Sequence, residues 1–155
     1  MAIVDIDGVV ADVRHRLHHL RGRPPRWDRF FAAAADDPVL GVGADVVRDL
    51  AMAHPIVWLS GRPEELRAVT ERWLRANDLP AARVLLRPHG DHRPAAQFKL
   101  EAVHRQAETA EVVAVLDDDP AVVQALRSAG FPAQLADWVP HERTLSRAQE
   151  RDGRT

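Results

Sequence analysis

Three short apolar runs in this chain each stop on a tight cluster of polar residues. Ile3, Val4 and Ile6 run into Asp5, Asp7 and Gly8; Ile56 to Leu59 stops at Ser60-Gly61; Val112 to Leu116 stops at Asp117-Asp118-Asp119. Such runs suit strands buried on both faces. Val84 to Leu86 is a weaker candidate, and Gln134, Leu135 and Trp138 mark another. Helical spacing lies between the runs, at Val46, Val47, Leu50 and Ala51, then at Leu66, Val69, Trp73 and Leu74. Pro63 suits the first position of that second helix, with Glu64 and Glu65 in its first turn. Leu100 and Val103 suggest a helix from near Lys99, and Pro120 opens another that stops at Gly130.

Alternation of this kind predicts an α/β fold: a single Rossmann-like domain with a central, mostly parallel sheet and helices on both faces. Ligands of such sheets lie beyond the carboxyl ends of the strands, where all three polar clusters fall. Residues 11–43 show no strand pattern and are expected to form a short helical excursion over that edge, with no large cap domain. The domain is expected over residues 1–145, and a polar tail over 146–155.

Composition excludes more than it specifies. The chain of 155 residues has no cysteine, which removes disulfides, thiolate metal sites and a cysteine nucleophile. A net charge of -2 names no partner. The apolar start is broken at Asp5, so no signal peptide is expected, and no apolar run is long enough to span a bilayer. A cytoplasmic protein without membrane contact is the expectation; oligomeric state leaves no trace in the sequence. Twenty of the 21 basic residues are Arg, and the one lysine is Lys99. A compact ammonium on a flexible stem does what a guanidinium cannot; chance retention of one Lys is the alternative.

Asp5 and Asp7 stand two apart on an extended segment, so they face the same way. Carboxylates that close need a proton or a cation between them. One can then serve as nucleophile and the other as acid-base; a plain strand end and Asp-Gly turn is the alternative. Asp119 precedes Pro120 and reads as a helix cap, which leaves Asp117 and Asp118 without a capping role. Oxygen ligands alone favour a hard ion such as magnesium. Ser60-Gly61-Arg62 ends a strand where a helix is expected to start, so N–H groups, a hydroxyl and the helix dipole could hold a phosphate; an ordinary turn is the alternative.

Taken in order, Asp5-Ile6-Asp7-Gly8, Ser60-Gly61-Arg62, Lys99 and Asp117-Asp118 resemble all four motifs of the haloacid dehalogenase-like phosphatase superfamily, over residues 3 to about 138. Within it the chain is most similar to the 3′-phosphatase domain of bacteriophage-type polynucleotide kinase. Arg16 follows Asp5 at the spacing of that domain's catalytic arginine, and Gly90-Asp91-His92-Arg93 precedes Lys99 as its local pattern does. Val9 stands where the family usually has Thr, Ala95 where it has an acidic residue, and no Gly-x-x-x-x-Gly-Lys kinase loop is present.

The resemblance implies a phosphatase that uses Mg2+ held by Asp5, the backbone carbonyl of Asp7, and Asp117, with Asp118 in support. Asp5 would attack phosphorus and form an aspartyl-phosphate. Asp7 would protonate the leaving alcohol and then activate water. Lys99 would neutralise charge; Ser60, Gly61, Arg62 and Arg16 would serve the substrate phosphate. The implied substrate is a phosphorylated molecule, with nucleic-acid 3′ ends foremost. A 5′-nucleotidase or small-metabolite phosphatase on the same scaffold and a non-catalytic phosphate-binding module are the alternatives. Residues Arg14 to Arg29 hold six Arg and one Asp. With Trp27 and Phe30 they could form a basic, aromatic lip for a nucleic-acid end, or a solvated helix face with both aromatics in the core. His15, His18 and His19 are expected at the surface or the substrate edge, and Trp58 and Trp73 in the core.

Overall fold

A computed structural model describes residues 1–140 and 143–152. Five strands form one parallel sheet: β1 (Ala2–Val4), β2 (Ile56–Pro63), β3 (Arg83–Arg87), β4 (Ala114–Asp117) and β5 (Ala133–Leu135), in the order β3-β2-β1-β4-β5. The helices are α1 (Trp27–Ala32), α2 (Gly41–Ala53), α3 (Arg67–Ala76), α4 (Ala95–Ala107), α5 (Pro120–Ser128) and α6 (Arg143–Asp152). The chain moves outward from β1 through β2 to β3, then returns to place β4 on the other side of β1. The switch point of the sheet therefore lies between β1 and β4, and a crevice opens there beyond the carboxyl ends. Asp5 and Asp117 stand on its two sides.

The period of the strands divides the core. Val4 and Ile6 face one way, with Val47 of α2, Trp58, and Trp73 and Leu74 of α3. Ile3 faces the other way, with Phe98 and Val103 of α4 and Val122 and Leu126 of α5. Successive side chains on a strand point to opposite faces, so β1 needs no polar side. Each fully buried aliphatic side chain contributes about 1.5–3 kcal/mol. Gly43 lets α2 approach the loop after β1: a Cβ there would lie 1.8 Å from the Val9 carbonyl oxygen. Among the described residues no helix is long and apolar enough to cross a membrane.

Residues 11–43 contain no named strand. A 3-10 helix, Val13–Leu20, follows the Asp12 cap, whose side chain accepts from the Arg14 N–H; α1 and a second 3-10 turn, Ala33–Asp36, come next. Of the two readings of Trp27 and Phe30 the core placement holds, and the expected tail changes. Phe30 is fully buried and Trp27 is 6% exposed, so neither can stack a nucleic-acid base; they belong to a satellite core with Val13, Leu17 and Leu20. Residues 146–155 are not a polar tail through Asp152, because α6 puts Leu145 and Ala148 into that core and Asp152 accepts a 2.7 Å hydrogen bond from Trp27 Nε1. Its apolar residues are few, so α6 hides in the sequence among charges. Residues 153–155 lie outside the described residues.

Leu145→Ala should therefore cost about 2–5 kcal/mol in urea unfolding, as a buried Leu truncation does. A tail without packing would give no change.

Candidate active site

The first strand ends on the nucleophile candidate. The Asp5 N–H still donates to the Leu116 carbonyl (2.9 Å), which fixes the backbone against β4. Its Oδ1 accepts from the Ile6 N–H (2.7 Å), and its Oδ2 accepts from Lys99 Nζ at 2.6 Å. Lys99 enters from the first turns of α4 and donates equally to Asp117 Oδ2, also at 2.6 Å. One ammonium thus bridges the carboxylates of two adjacent strands, and all three residues are buried. Burial pushes Asp5 up to about 7; Lys99 opposes the rise, and Asp117 and Asp7 add to it. Asp117 is raised by burial against the pull of Lys99, and Asp118 is raised well above the ordinary range by burial and by the Asp117 and Asp5 charges. Burial would depress Lys99, but the carboxylates of Asp117 and Asp5 outweigh it and hold the ammonium charged.

Gly8 explains why the first motif ends in glycine. Its φ is +76°, which favours a residue without Cβ. A Cβ there would also lie 2.1 Å from Asp118 Oδ2. The loop after β1 and the end of β4 therefore meet at a point where no side chain fits. Asp119 is the cap expected of it: its side chain accepts from Ala121 N–H (2.8 Å), with Pro120 at the first helical position.

Asp7 lies in a second cluster. Its Oδ1 accepts from Arg62 Nη2 (2.5 Å), Arg62 Nε (3.0 Å) and Arg16 Nη2 (3.1 Å). Burial alone would raise Asp7, yet the Arg62 and Arg16 guanidiniums prevail and hold it down at about 2. Both guanidiniums are wholly buried and also bind Asp37, which accepts from Arg16 Nε (2.7 Å), Arg16 Nη2 (2.8 Å) and Arg62 Nη2 (2.7 Å). Arg16 further lies 4.1 Å over the Phe30 ring. Both arginines thus lie buried against Asp7 and Asp37. Asp37 was not among the residues singled out from sequence. Its partners are 21 and 25 residues away, and no local spacing marks it. His15 Nε2 also meets Asp37, at 2.7 Å, and Trp73 Nε1 donates to the Asp37 carbonyl at 2.8 Å.

Ser60-Gly61-Arg62 does not mark a helix start. All three continue β2, whose register against β3 shifts between Leu59 and Pro63. A 3-10 turn, Glu64–Leu66, follows, and α3 begins only at Arg67. Pro63 caps that turn instead of opening a helix, so the helix dipole expected beside Ser60 is not there. Ser60 itself is buried, and its Oγ accepts from the Arg62 N–H (3.2 Å). Arg21, Arg23 and Arg26 are exposed.

The acidic group suits a cation. Asp5, Asp117 and Asp118 each offer a carboxylate oxygen, all within 4.8 Å of one another. Three carboxylates against the single Lys99 ammonium leave an excess of negative charge, which adds to the burial that raises Asp5 and Asp118. An all-oxygen donor set with surplus negative charge fits a hard divalent ion.

The profile of the polynucleotide kinase PNKP phosphatase domain family matches residues 1–137. No curated protein sequence matches the chain. Two solved structures of a Pnkp1/Rnl/Hen1 complex, one described as an RNA repair complex, are similar at 26% and 25% identity, with TM-scores of 0.70 and 0.71. Each covers 86% of this chain, which spans only 41% and 44% of theirs. A haloacid dehalogenase-like hydrolase from Streptococcus pneumoniae shares the fold, with a TM-score of 0.65 over 96% of this chain and 90% of its own, at 10% identity. The sheet order, the Asp5–Lys99–Asp117 bridge and the extent of the profile match agree: this chain belongs to the PNKP phosphatase domain family of haloacid dehalogenase-like proteins and is a phosphatase.

Proposed function

We propose that the chain removes a terminal 3′-phosphate from nucleic acid, with Asp5 as nucleophile and Mg2+ as cofactor. The observation that carries the chemistry is the bridge of Lys99 between Asp5 and Asp117, with Asp118 beside it. Asp5, Asp117 and the Asp7 backbone carbonyl would hold the ion, with Asp118 in support; when bound it would neutralise phosphate charge. Lys99 supplies the same neutralisation from the protein, so an anionic carboxylate can approach an anionic ester. Asp5 attacks phosphorus in line and the leaving oxygen departs as an alcohol. Ser60 and the Gly61 backbone are suited to hold phosphoryl oxygens at the end of β2.

Asp7 is the proposed acid-base group, and its surroundings set the direction of that work. Two guanidiniums favour its anion, so accepting a proton from water in the hydrolysis of the aspartyl-phosphate is its easier task. Donating one to the alcohol requires a protonated state that Arg16 and Arg62 oppose. Support for the substrate comes from the family and from the RNA repair complex of the similar structures. The exposed Arg21, Arg23 and Arg26 could meet neighbouring phosphates. A cytoplasmic setting among other end-processing proteins accords with that role.

Asp5→Asn should lower turnover of an aryl phosphate at least about 10³-fold, and beryllium fluoride should add to the Asp5 carboxylate in a crystal. Near-native turnover would exclude covalent catalysis at Asp5. Asp7→Asn should slow alkyl esters by about 10²–10⁴-fold and nitrophenyl esters far less; equal losses across a leaving-group series would count against the acid role.

Thermal unfolding in chelator tests the metal. Asp5 in the folded protein binds its proton up to about 7, against an ordinary 3.8. Its contribution to stability is therefore full below about pH 4 and is lost as pH rises toward 7; Asp117 and Asp118 act in the same direction. Asp7, held at about 2, contributes above pH 4 and loses that contribution as pH falls toward 2. Magnesium should flatten the upper slope, and Asp5→Asn should reduce it. A flat profile without metal would remove the case for a site with surplus negative charge.

Neutralising Arg21, Arg23 and Arg26 together should raise KM for a 3′-phosphorylated oligonucleotide about tenfold and weaken its salt dependence, with little change for an aryl phosphate. Better turnover of 5′-mononucleotides or sugar phosphates than of 3′-phosphorylated ends would reassign the substrate.

A further inference from the structure

A cleft of about 420 Å³ opens between α1, the turn after β2 and the loop after β3. Its apolar lining is Phe31, Pro63, Leu66 and Pro88. Two of these are chain neighbours of the groups that hold Asp7. Phe31 follows Phe30, whose ring lies under Arg16 and whose carbonyl accepts from Arg16 Nη1. Pro63 follows Arg62, whose Nη2 is 2.5 Å from Asp7 Oδ1. The cleft thus continues the catalytic edge of the sheet, toward β3 and away from the acidic cluster. Building on the proposed 3′-phosphatase reading, we propose that this cleft receives the base of the nucleotide that carries the phosphate.

The walls suit a flat, weakly polar ring. Phe31 is half-buried, and its ring stacks on Trp27 at 5.4 Å and 28°, which fixes its orientation before any ligand arrives. Bases of every kind offer a π face to such a ring. The opposing loop is braced from within. Arg87 Nη1 donates to the Arg93 carbonyl (2.9 Å), Asp91 Oδ1 accepts from the Arg93 N–H (3.0 Å), and Gly90 takes the left-handed turn between them with φ +75°. A wall already ordered does not lose that freedom on binding. This gives the Gly90 to Arg93 stretch a task apart from the four chemical motifs.

The charges at the rim are already engaged with one another. Glu65 and His89 join the turn after β2 to the loop after β3 through a 2.6 Å contact, and Asp91 lines the same cleft. Asp91 is itself paired with Arg93 (2.6 Å) and Arg87 (3.5 Å), so a second phosphate would have to compete with carboxylates for these cations, whereas a neutral base leaves the pairs intact. The backbone would then leave by the side of Arg21, Arg23 and Arg26.

The experiment compares three substrates of the full chain in magnesium: an oligonucleotide with an ordinary 3′-phosphorylated terminus, the same oligonucleotide with that terminal base removed, and an aryl phosphate. The expected result is a preference of about tenfold or more in kcat/KM for the terminus that keeps its base. Phe31→Ala should abolish the preference and leave the other two rates unchanged; Pro88→Glu, at an exposed position, should do the same without touching the core. Equal rates for the two termini in the native chain would overturn the cleft assignment while leaving 3′-phosphatase activity intact. An equal loss on all three substrates in both variants would also overturn it, by showing a general defect. Turnover of the aryl phosphate alone, with neither terminus cleaved, would overturn the 3′-phosphatase reading and this inference with it.

Discussion

A carboxylate at the end of a buried strand needs a positive charge within reach, and in this fold Asp5 and Asp117 share one. Lys99 lies 2.6 Å from each, so α4 cannot shift along the sheet without breaking both contacts. The register of β1 and β4, which pairs Val4 with Leu116, delivers the two carboxylates side by side. Removal of one partner from such a set leaves an uncompensated buried charge, which costs about 3–5 kcal/mol. The same interaction thus ties a helix to the sheet and holds the Asp5 carboxylate in place.

A second set of buried charges organises the opposite side of Asp5–Asp7. Arg16 comes from the 3-10 helix after β1, Arg62 from the end of β2, and Asp37 from the segment before α2. At that point they meet through two guanidiniums and two carboxylates that satisfy one another. Arg62 also reaches Thr70 Oγ1 at 3.4 Å, which brings α3 into the set. The excursion over residues 11–43 is therefore held to the catalytic edge by charge as well as by its satellite core. Burial outweighs Lys99 at Asp5, whereas two arginines outweigh burial at Asp7, so adjacent carboxylates are driven to opposite protonation behaviour. Such divergence is what acid-base chemistry near neutral pH requires.

The sheet was legible because apolar runs of strand length are hard to place elsewhere, and their polar ends named the edge. Asp5, Asp7, Lys99 and Asp117 could be found because each sits at a strand end or stands alone in composition. Asp37 could not: its function depends on contacts with residues far away in the chain, and Asp36-Asp37-Pro38 reads as an ordinary turn. The placement of Arg16 and Arg62 was obscured for a related reason, since no local pattern shows that both guanidiniums are buried against Asp7 and Asp37. Ser60-Gly61-Arg62 misled through Pro63, whose fixed φ serves a helix start and a cap before a 3-10 turn equally well. Helix α6 failed to register because only Leu145 and Ala148 among its described side chains are buried, too few for a periodic signal.

The sealing of Lys99 has a consequence for the outer surface. Apart from it, every Lys or Arg charge in the chain is a guanidinium, and guanidinium stays protonated across the whole pH range in which proteins fold. Lys99 is 5% exposed, and its two carboxylate partners suppress the free-amine form that acylating reagents attack. Reagents or enzymes that erase lysine charge therefore find no accessible side-chain amine. The fixed positive charge available to an anionic partner is thus beyond the reach of acetylation and indifferent to alkaline conditions.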